Sequence, residues 1–169
     1  SVDAMYFSNT SKYSLWCSNH QNAAVTRNTM CEPLTGGGWQ MTHGIGHENF
    51  FWESAASAIS AVVLGNGVSG GTGAQSGLKD HQSGLGLQFS AEVGEAVAKA
   101  RLTRAHANDL VKRIMAKYQP TIDSHTAHEM GGDFRECYNL VTVQPQKWYM
   151  DMYDKVKKEL TQMGLPMEY

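Results

Sequence analysis

The sequence predicts an α/β domain that is predominantly helical, with one or two short strands at its N-terminal end. Three observations carry this. Apolar residues recur at helical spacing in four stretches beyond residue 47. Aromatic and apolar residues gather in two short runs before residue 18, each bounded by Ser/Asn-rich turns. A chain of 169 residues, 41% of them hydrophobic, fits one domain with a real core.

Taken in order, residues 4–7 (AMYF) and 13–17 (YSLWC) read as the strands, inside a largely irregular region that runs to residue 46. From Glu48 to Leu64, Phe51, Ala55, Ala58, Ile59, Val62 and Val63 predict a helix, with Gly65 or Gly67 as its C-terminal cap. Ser54, Ser57 and Ser60 form a small-residue stripe on its other side. Eight of the 17 glycines fall between Gly65 and Gly86, so residues 65–88 read as a long loop, ordered over a site or mobile. Ser90 can cap the next helix, with Val93, Val97 and Ala100 on its apolar face. Residues 103–118 form another helix, burying Ala107, Val111, Ile114 and Tyr118, and Pro120 stops it. Pro145 suits the first turn of a last helix with Trp148, Met152, Val156 and Leu160 inward, ended by Gly164.

Composition excludes several functions. A net charge of −2 lacks the basic excess of a duplex-binding surface. The longest nearly apolar run, residues 55–64, is too short to cross a bilayer. The first residues lack the pattern of a secretory signal, and three widely spaced cysteines without a CxxC pair read as free thiols; together these predict a cytoplasmic protein. Absence of an initiating methionine fits a processed product or a piece of something longer.

Residues 43–53 (HGIGHENFFWE) hold the densest ionisable chemistry. His43 and His47 are four apart, a spacing that on a helix serves metal sites, but two intervening glycines make a regular helix there unfavourable and no third ligand is evident. Substrate contacts or structural hydrogen bonds are the other readings. Glu48 and Glu53, five apart, lie about 140° around a helix and form no obvious carboxylate pair. Residues 65–70 (GNGVSG) match the dinucleotide glycine pattern, yet more glycines follow where a helix must open and no acidic residue sits at the end of a second strand. His125, His128 and Glu129 read as a solvated turn, His106 as surface and Cys137 as a structural thiol.

The last forty residues carry a further signal. Residues 134–139 (FRECYN), then 142–145 (TVQP), Tyr149, Tyr153, Asp154, residues 158–160 (KEL) and Gly164-Leu165 resemble, in order and spacing, the C-terminal tail of the monomethylamine methyltransferases of methanogens. The likeness continues upstream through residues 92–100, the glycine-rich stretch and residues 48–60, covering about residues 36–169 in all. The resemblance implies the C-terminal portion of a TIM-barrel-like fold. In that family the barrel holds a pyrrolysine, encoded by an in-frame amber codon, that captures and activates the methylamine. The methyl group then passes to the cobalt of a separate corrinoid protein docked at the barrel mouth. The pyrrolysine-bearing strand has no counterpart in this chain.

By order, the family residues that contact the pyrrolysine fall near Trp39 and Gln40, and Gln40 matches in residue type. The loop from Gly36 to Glu48 would be a last-strand loop at the C-terminal face of the barrel, where such sites sit. The residue reading and the resemblance, which meet at this loop, together give Glu48, Gln40 and His47 as expected catalytic residues and Trp39, His43 and Glu53 as expected substrate contacts. The two histidines depart from the family pattern and leave room for another methyl donor or a metal. No cofactor binds directly; the corrinoid arrives on its partner. The remaining barrel segment, other subunits or further copies of the chain are the other expected partners. The alternative is a free-standing helical binding module, metal-loaded through His43 and His47.

Overall fold

The computed structural model describes residues 10–29, 40–76 and 79–167. Its elements are α1 (Leu15–Thr29), α2 (Glu48–Val63), α3 (Gly84–Ala100), α4 (Arg104–Asp123), a one-turn α5 (Phe134–Cys137) and α6 (Lys147–Gln162). A 3-10 turn spans Ala127–Glu129, and strands β1 (Tyr138–Asn139) and β2 (Gln144–Pro145) make a minimal antiparallel hairpin with Tyr138 opposite Pro145.

Helix α2 is the axis of the molecule. Every residue from Phe50 to Ala61 is buried, because α1, α3, α4 and α6 all pack on it. A helix apolar over most of its circumference is stable only when enclosed in this way. Phe51 anchors an aromatic cluster, with ring centroids 5.0 Å from Phe89, 5.4 Å from Tyr149 and 6.1 Å from Tyr153. Each such burial stabilises the fold by roughly 1.5–3 kcal/mol. The serine stripe is buried too, and Ser60 Oγ accepts a 2.8 Å hydrogen bond from the amide of Asn19 on α1. At the far end Gly65 takes φ +82°, and the Gly65 and Asn66 amides bond back to Val62 and Ala61, closing the helix in a Schellman motif.

Several elements differ from the sequence expectation. Residues 13–14 form a turn and residues 15–17 begin α1 instead of a strand: Leu15, Asn19 and Ala23 are buried while Cys17 and Gln21 between them are exposed, a pattern a strand cannot give because all five would share one of its faces. The possible strand at residues 4–7 lies outside the described residues. Helix α3 starts at Gly84, not near Ser90, so the glycine-rich loop ends earlier than residue 88. Its cap is Ser83, whose Oγ accepts from the Gly86 amide at 3.0 Å. Gly86 tolerates this position because it lies against Phe50, where a Cβ would come within 2.6 Å of the ring.

Pro120 sits inside α4, which continues to Asp123; so near the C-terminus its missing N–H costs a single ladder bond. Pro145 belongs to β2, and α6 begins two residues later. The inward stripe of α6 is Tyr149, Tyr153, Val156 and Leu160, whereas Trp148 is 44% exposed and Met152 only partly buried.

Candidate functional site

The glycine-rich segment is an ordered arch that runs over residues 40–46. Thr72 bridges Gln82, the Gly73 amide bonds His81 O at 2.7 Å, and the Ser83 amide bonds Gly71 O at 2.7 Å. Buried His81 ties the arch internally through Nδ1 to Ala74 O at 2.5 Å. Met41 N bonds Thr72 O and Ala74 N bonds His43 O, so the arch grips the loop that leads into α2. From the other side, Gly44 N bonds Met130 O at 2.7 Å, and a Cβ at Gly44 or Gly46 would meet the backbone of residues 130–132 at 2.9 or 2.6 Å. The two glycines between the histidines are therefore close-packing positions.

Glu53 organises this loop from within α2. It is fully buried and accepts from the Thr42 amide at 2.7 Å, the His43 amide at 3.1 Å, the Thr10 hydroxyl and His43 Nδ1. With Nδ1 on Glu53, Nε2 of His43 lies 2.8 Å from Thr121 Oγ1, whose hydroxyl donates to Tyr118 O, and 3.2 Å from Asn49 Nδ2. Thr10 continues the network, its carbonyl accepting from Tyr118 OH at 2.7 Å. Burial pushes the Tyr118 hydroxyl well above its ordinary pKa, with the Glu53 charge adding to the effect.

His47 is the N-cap of α2: extended at φ −119°, it accepts the Asn49 amide on Nδ1 at 3.1 Å. Its ring stacks on His43 with centroids 5.0 Å apart and planes 17° from parallel. Burial, and then the neighbouring His43, lower its pKa below the usual imidazole value. Burial pulls the Glu48 carboxyl upward, but hydrogen bonds from Lys155 (2.5 Å) and Trp52 Nε1 (3.0 Å), aided by the Lys155 and Lys117 charges, outweigh this and hold it below the ordinary carboxylate range. Gln40 is half-buried and donates through Nε2 to Ser76 Oγ at 3.2 Å, leaving its amide oxygen without a partner among the described residues.

This arrangement joins some of the expected residues and separates others. Glu53 and His43 were expected to contact substrate; both are wholly enclosed and hydrogen-bonded inward, so they shape the loop from below. The alternative metal pair meets the same obstacle. His43 has both ring nitrogens engaged, the two rings stack instead of converging, and no three His, Cys, Asp or Glu side chains group as ligands among the described residues. Trp39 lies outside the described residues. Asn49, Thr121, Thr10 and His81 escaped the sequence reading; Asn49, two residues after a histidine at a helix start, was the one with a local signal. Cys137 is buried, and burial, with Glu136 and Asp133 nearby, raises its thiol to about 12, which makes it inert as expected.

The family model described as monomethylamine methyltransferase MtmB matches residues 2–165. The chain belongs to the monomethylamine methyltransferase family. Monomethylamine methyltransferase MtmB2 of Methanosarcina acetivorans is 29% identical over 144 residues, and MtmB2 of Methanosarcina barkeri strain Fusaro is 27% identical over the same length. Each match covers 85% of this chain but 30% of the relative, so the chain spans about a third of the length of the methyltransferases it matches. The crystal structure of the Methanosarcina barkeri monomethylamine methyltransferase superposes with a TM-score of 0.68 at 26% identity, covering 77% of this chain and 28% of that one. A hydroxylamine MtmB complex gives a TM-score of 0.81 over 98% of this chain and 35% of that one; at 23% identity it speaks to the fold alone. These neighbours account for a mostly helical unit with one short hairpin. Among the described residues no helix is long and apolar enough to cross a membrane.

Proposed function

We propose that this chain is the C-terminal part of a TIM-barrel methylamine methyltransferase that passes a methyl group to a corrinoid protein. Family membership supports the reaction class, and one observation supports the place: the half-buried Gln40 amide oxygen lacks a partner among the described residues, beside a loop held from both sides. That oxygen can accept from a methylammonium N–H. Neutral His47, with Nδ1 on the Asn49 amide and Nε2 unpartnered among the described residues, places no second cation beside the methylammonium, which stays protonated and leaves as ammonia. Glu48 supplies negative charge nearby, while its oxygens remain bound to Trp52 and Lys155. Glu53 and His43 position this set without touching substrate.

The corrinoid supplies a nucleophilic cobalt that accepts the methyl group, and ammonia leaves with the electron pair of the broken C–N bond. The test uses a family-length protein carrying this chain, methylammonium and a reduced corrinoid protein, with methylation followed by corrin absorbance. Gln40→Ala is expected to slow transfer by about 10²-fold, the scale of losing one oriented hydrogen bond in an active site. Unchanged transfer in that variant overturns the assignment of Gln40, and failure of the parent protein with any methylamine overturns the reaction.

A further inference from the structure

The donors and acceptors around Glu53 and His43 decide where the protons of this buried clamp lie. Glu53 Oε2 accepts from the Thr42 amide and the Thr10 hydroxyl, and Oε1 accepts from the His43 amide and meets His43 Nδ1. Two backbone amides and a hydroxyl aimed at one carboxyl group stabilise its ionised form over the acid. The proton between Glu53 and His43 therefore belongs on Nδ1. Glu53 is also wholly enclosed, and a buried anion is costly without a cation beside it. Among the described residues no Lys or Arg pairs with it; its ion-pair partner is the equally enclosed His43 ring.

The far side of the ring calls for a second proton. Thr121 Oγ1 lies 2.8 Å from His43 Nε2, and its own hydroxyl proton is committed to Tyr118 O at 2.7 Å. The oxygen turns its lone pairs to the ring, so the contact is a hydrogen bond when Nε2 donates. Asn49 Nδ2 donates to the same oxygen at 3.3 Å, and its 3.2 Å approach to Nε2 is that of two donors converging on one acceptor. A ring that donates from both nitrogens is an imidazolium. His47 stacks on it, with centroids 5.0 Å apart and planes 17° from parallel. Two charged rings at that distance repel, so a charge on His43 disfavours one on His47. The lowered pKa of His47 agrees: burial and then His43 lower it, against Glu48 and Glu53, which raise it. Tyr118, the remaining titratable group on the network, stays protonated because burial and then the Glu53 charge raise its hydroxyl.

We infer that Glu53 and His43 form a buried carboxylate–imidazolium pair whose role is to hold the stacked His47 ring uncharged at the edge of the site. Both are positioning residues that act through His47. The consequence for catalysis rests on the proposed methyl-transfer reading: the substrate is a cation, and a charged His47 would repel it. The charge on His43 stands apart from that reading, because it follows from the hydrogen bonds alone.

Imidazole nitrogen NMR of the chain with isotope-labelled histidine reads the charge directly, the two rings being identified by their loss in His43→Gln and His47→Asn. Near neutral pH, His43 of the unsubstituted chain is expected to carry a proton on each nitrogen and His47 on one. A bare nitrogen in the His43 ring overturns the pair, whether or not methyl transfer is observed. His43→Gln keeps a donor for Glu53 without the charge. In that variant His47 is expected to bind its proton about tenfold more tightly, its titration midpoint rising by about one pH unit. A merely structural His43 leaves that midpoint in place, and an unmoved or lowered midpoint overturns the role assigned to the pair. In the family-length protein carrying this chain, the acid limb of methyl transfer is expected to move to higher pH in His43→Gln by the same interval. A limb that stays where it was overturns the link to catalysis. No transfer by the unsubstituted protein overturns the methyl-transfer reading and the catalytic consequence with it, while the spectra alone judge the charge.

Discussion

Glu53 accepts four hydrogen bonds with no exposure to water, so its removal strands three buried donors and an imidazole at once. Glu53→Ala is expected to destabilise the chain by about 3–5 kcal/mol in urea unfolding, the range for breaking a buried hydrogen-bonded pair. His47 gives a pH signature. Its folded pKa lies below the unfolded value, so the unfolded chain binds more protons below about pH 6.5 and stability falls as pH drops through the folded pKa. His47→Asn keeps a good capping side chain and removes the titration. Unfolding free energies measured between pH 7.5 and 5 should therefore decline less steeply in the variant than in the parent. Equal slopes would remove His47 as the source. The residue types of this site were readable, but their roles were not. Glu53 looks equally polar in sequence whether it faces substrate or closes a buried clamp, and partners as remote as Thr10 and Thr121 decide between the two.

At the level of elements, the glycines separate conformational need from packing need. Gly65 has φ +82° with open space around its Cβ position, so Gly65→Ala is expected to cost about 1 kcal/mol through backbone strain alone. Gly86→Ala gains helix propensity but drives a methyl into Phe50, for an expected net loss of about 1–3 kcal/mol. Val143 takes φ +55°, so Val143→Gly relieves a strained turn and should raise stability by about 1 kcal/mol. Chemical denaturation of the three variants checks all of these, and the opposite order of Gly65→Ala and Gly86→Ala would refute the packing account. Helix α2 and its glycine stop were legible because periodicity and capping are local. The strand expected at residues 13–17 was not, since its aromatic content fits either structure and only the burial of Leu15, Asn19 and Ala23 with Cys17 and Gln21 left exposed decides for a helix against α2. The start of α3 was hidden because its first turn contains two glycines that propensity disfavours, of which Gly86 is required by the contact with Phe50.

For the whole molecule, a chain that matches less than a third of each relative should expose surface that the rest of such a protein covers. Tyr13 and Val25, just before and within α1, are exposed at 75% and 46%. The isolated chain is accordingly expected to associate with itself, or with the remaining part of a family-length relative when both are supplied, at micromolar concentration in sedimentation velocity. A clean monomer that ignores that part would count against this. Elemental analysis of the same sample tests the free-standing metal-binding alternative, which requires stoichiometric zinc or iron lost on His47→Ala.

By itself the sequence determined the helical stripes, the glycine stop after α2, the inert thiol at Cys137 and, through its tail, the family. These depend on residues close in sequence or on a pattern held over forty positions. Only the tertiary structure decided that Glu53 and His43 face inward, that the two histidine rings stack, and that the glycine-rich segment arches over residues 40–46. The physical reason is shared: a buried polar side chain is defined by the partners that replace its water, and here those partners lie up to 78 residues away.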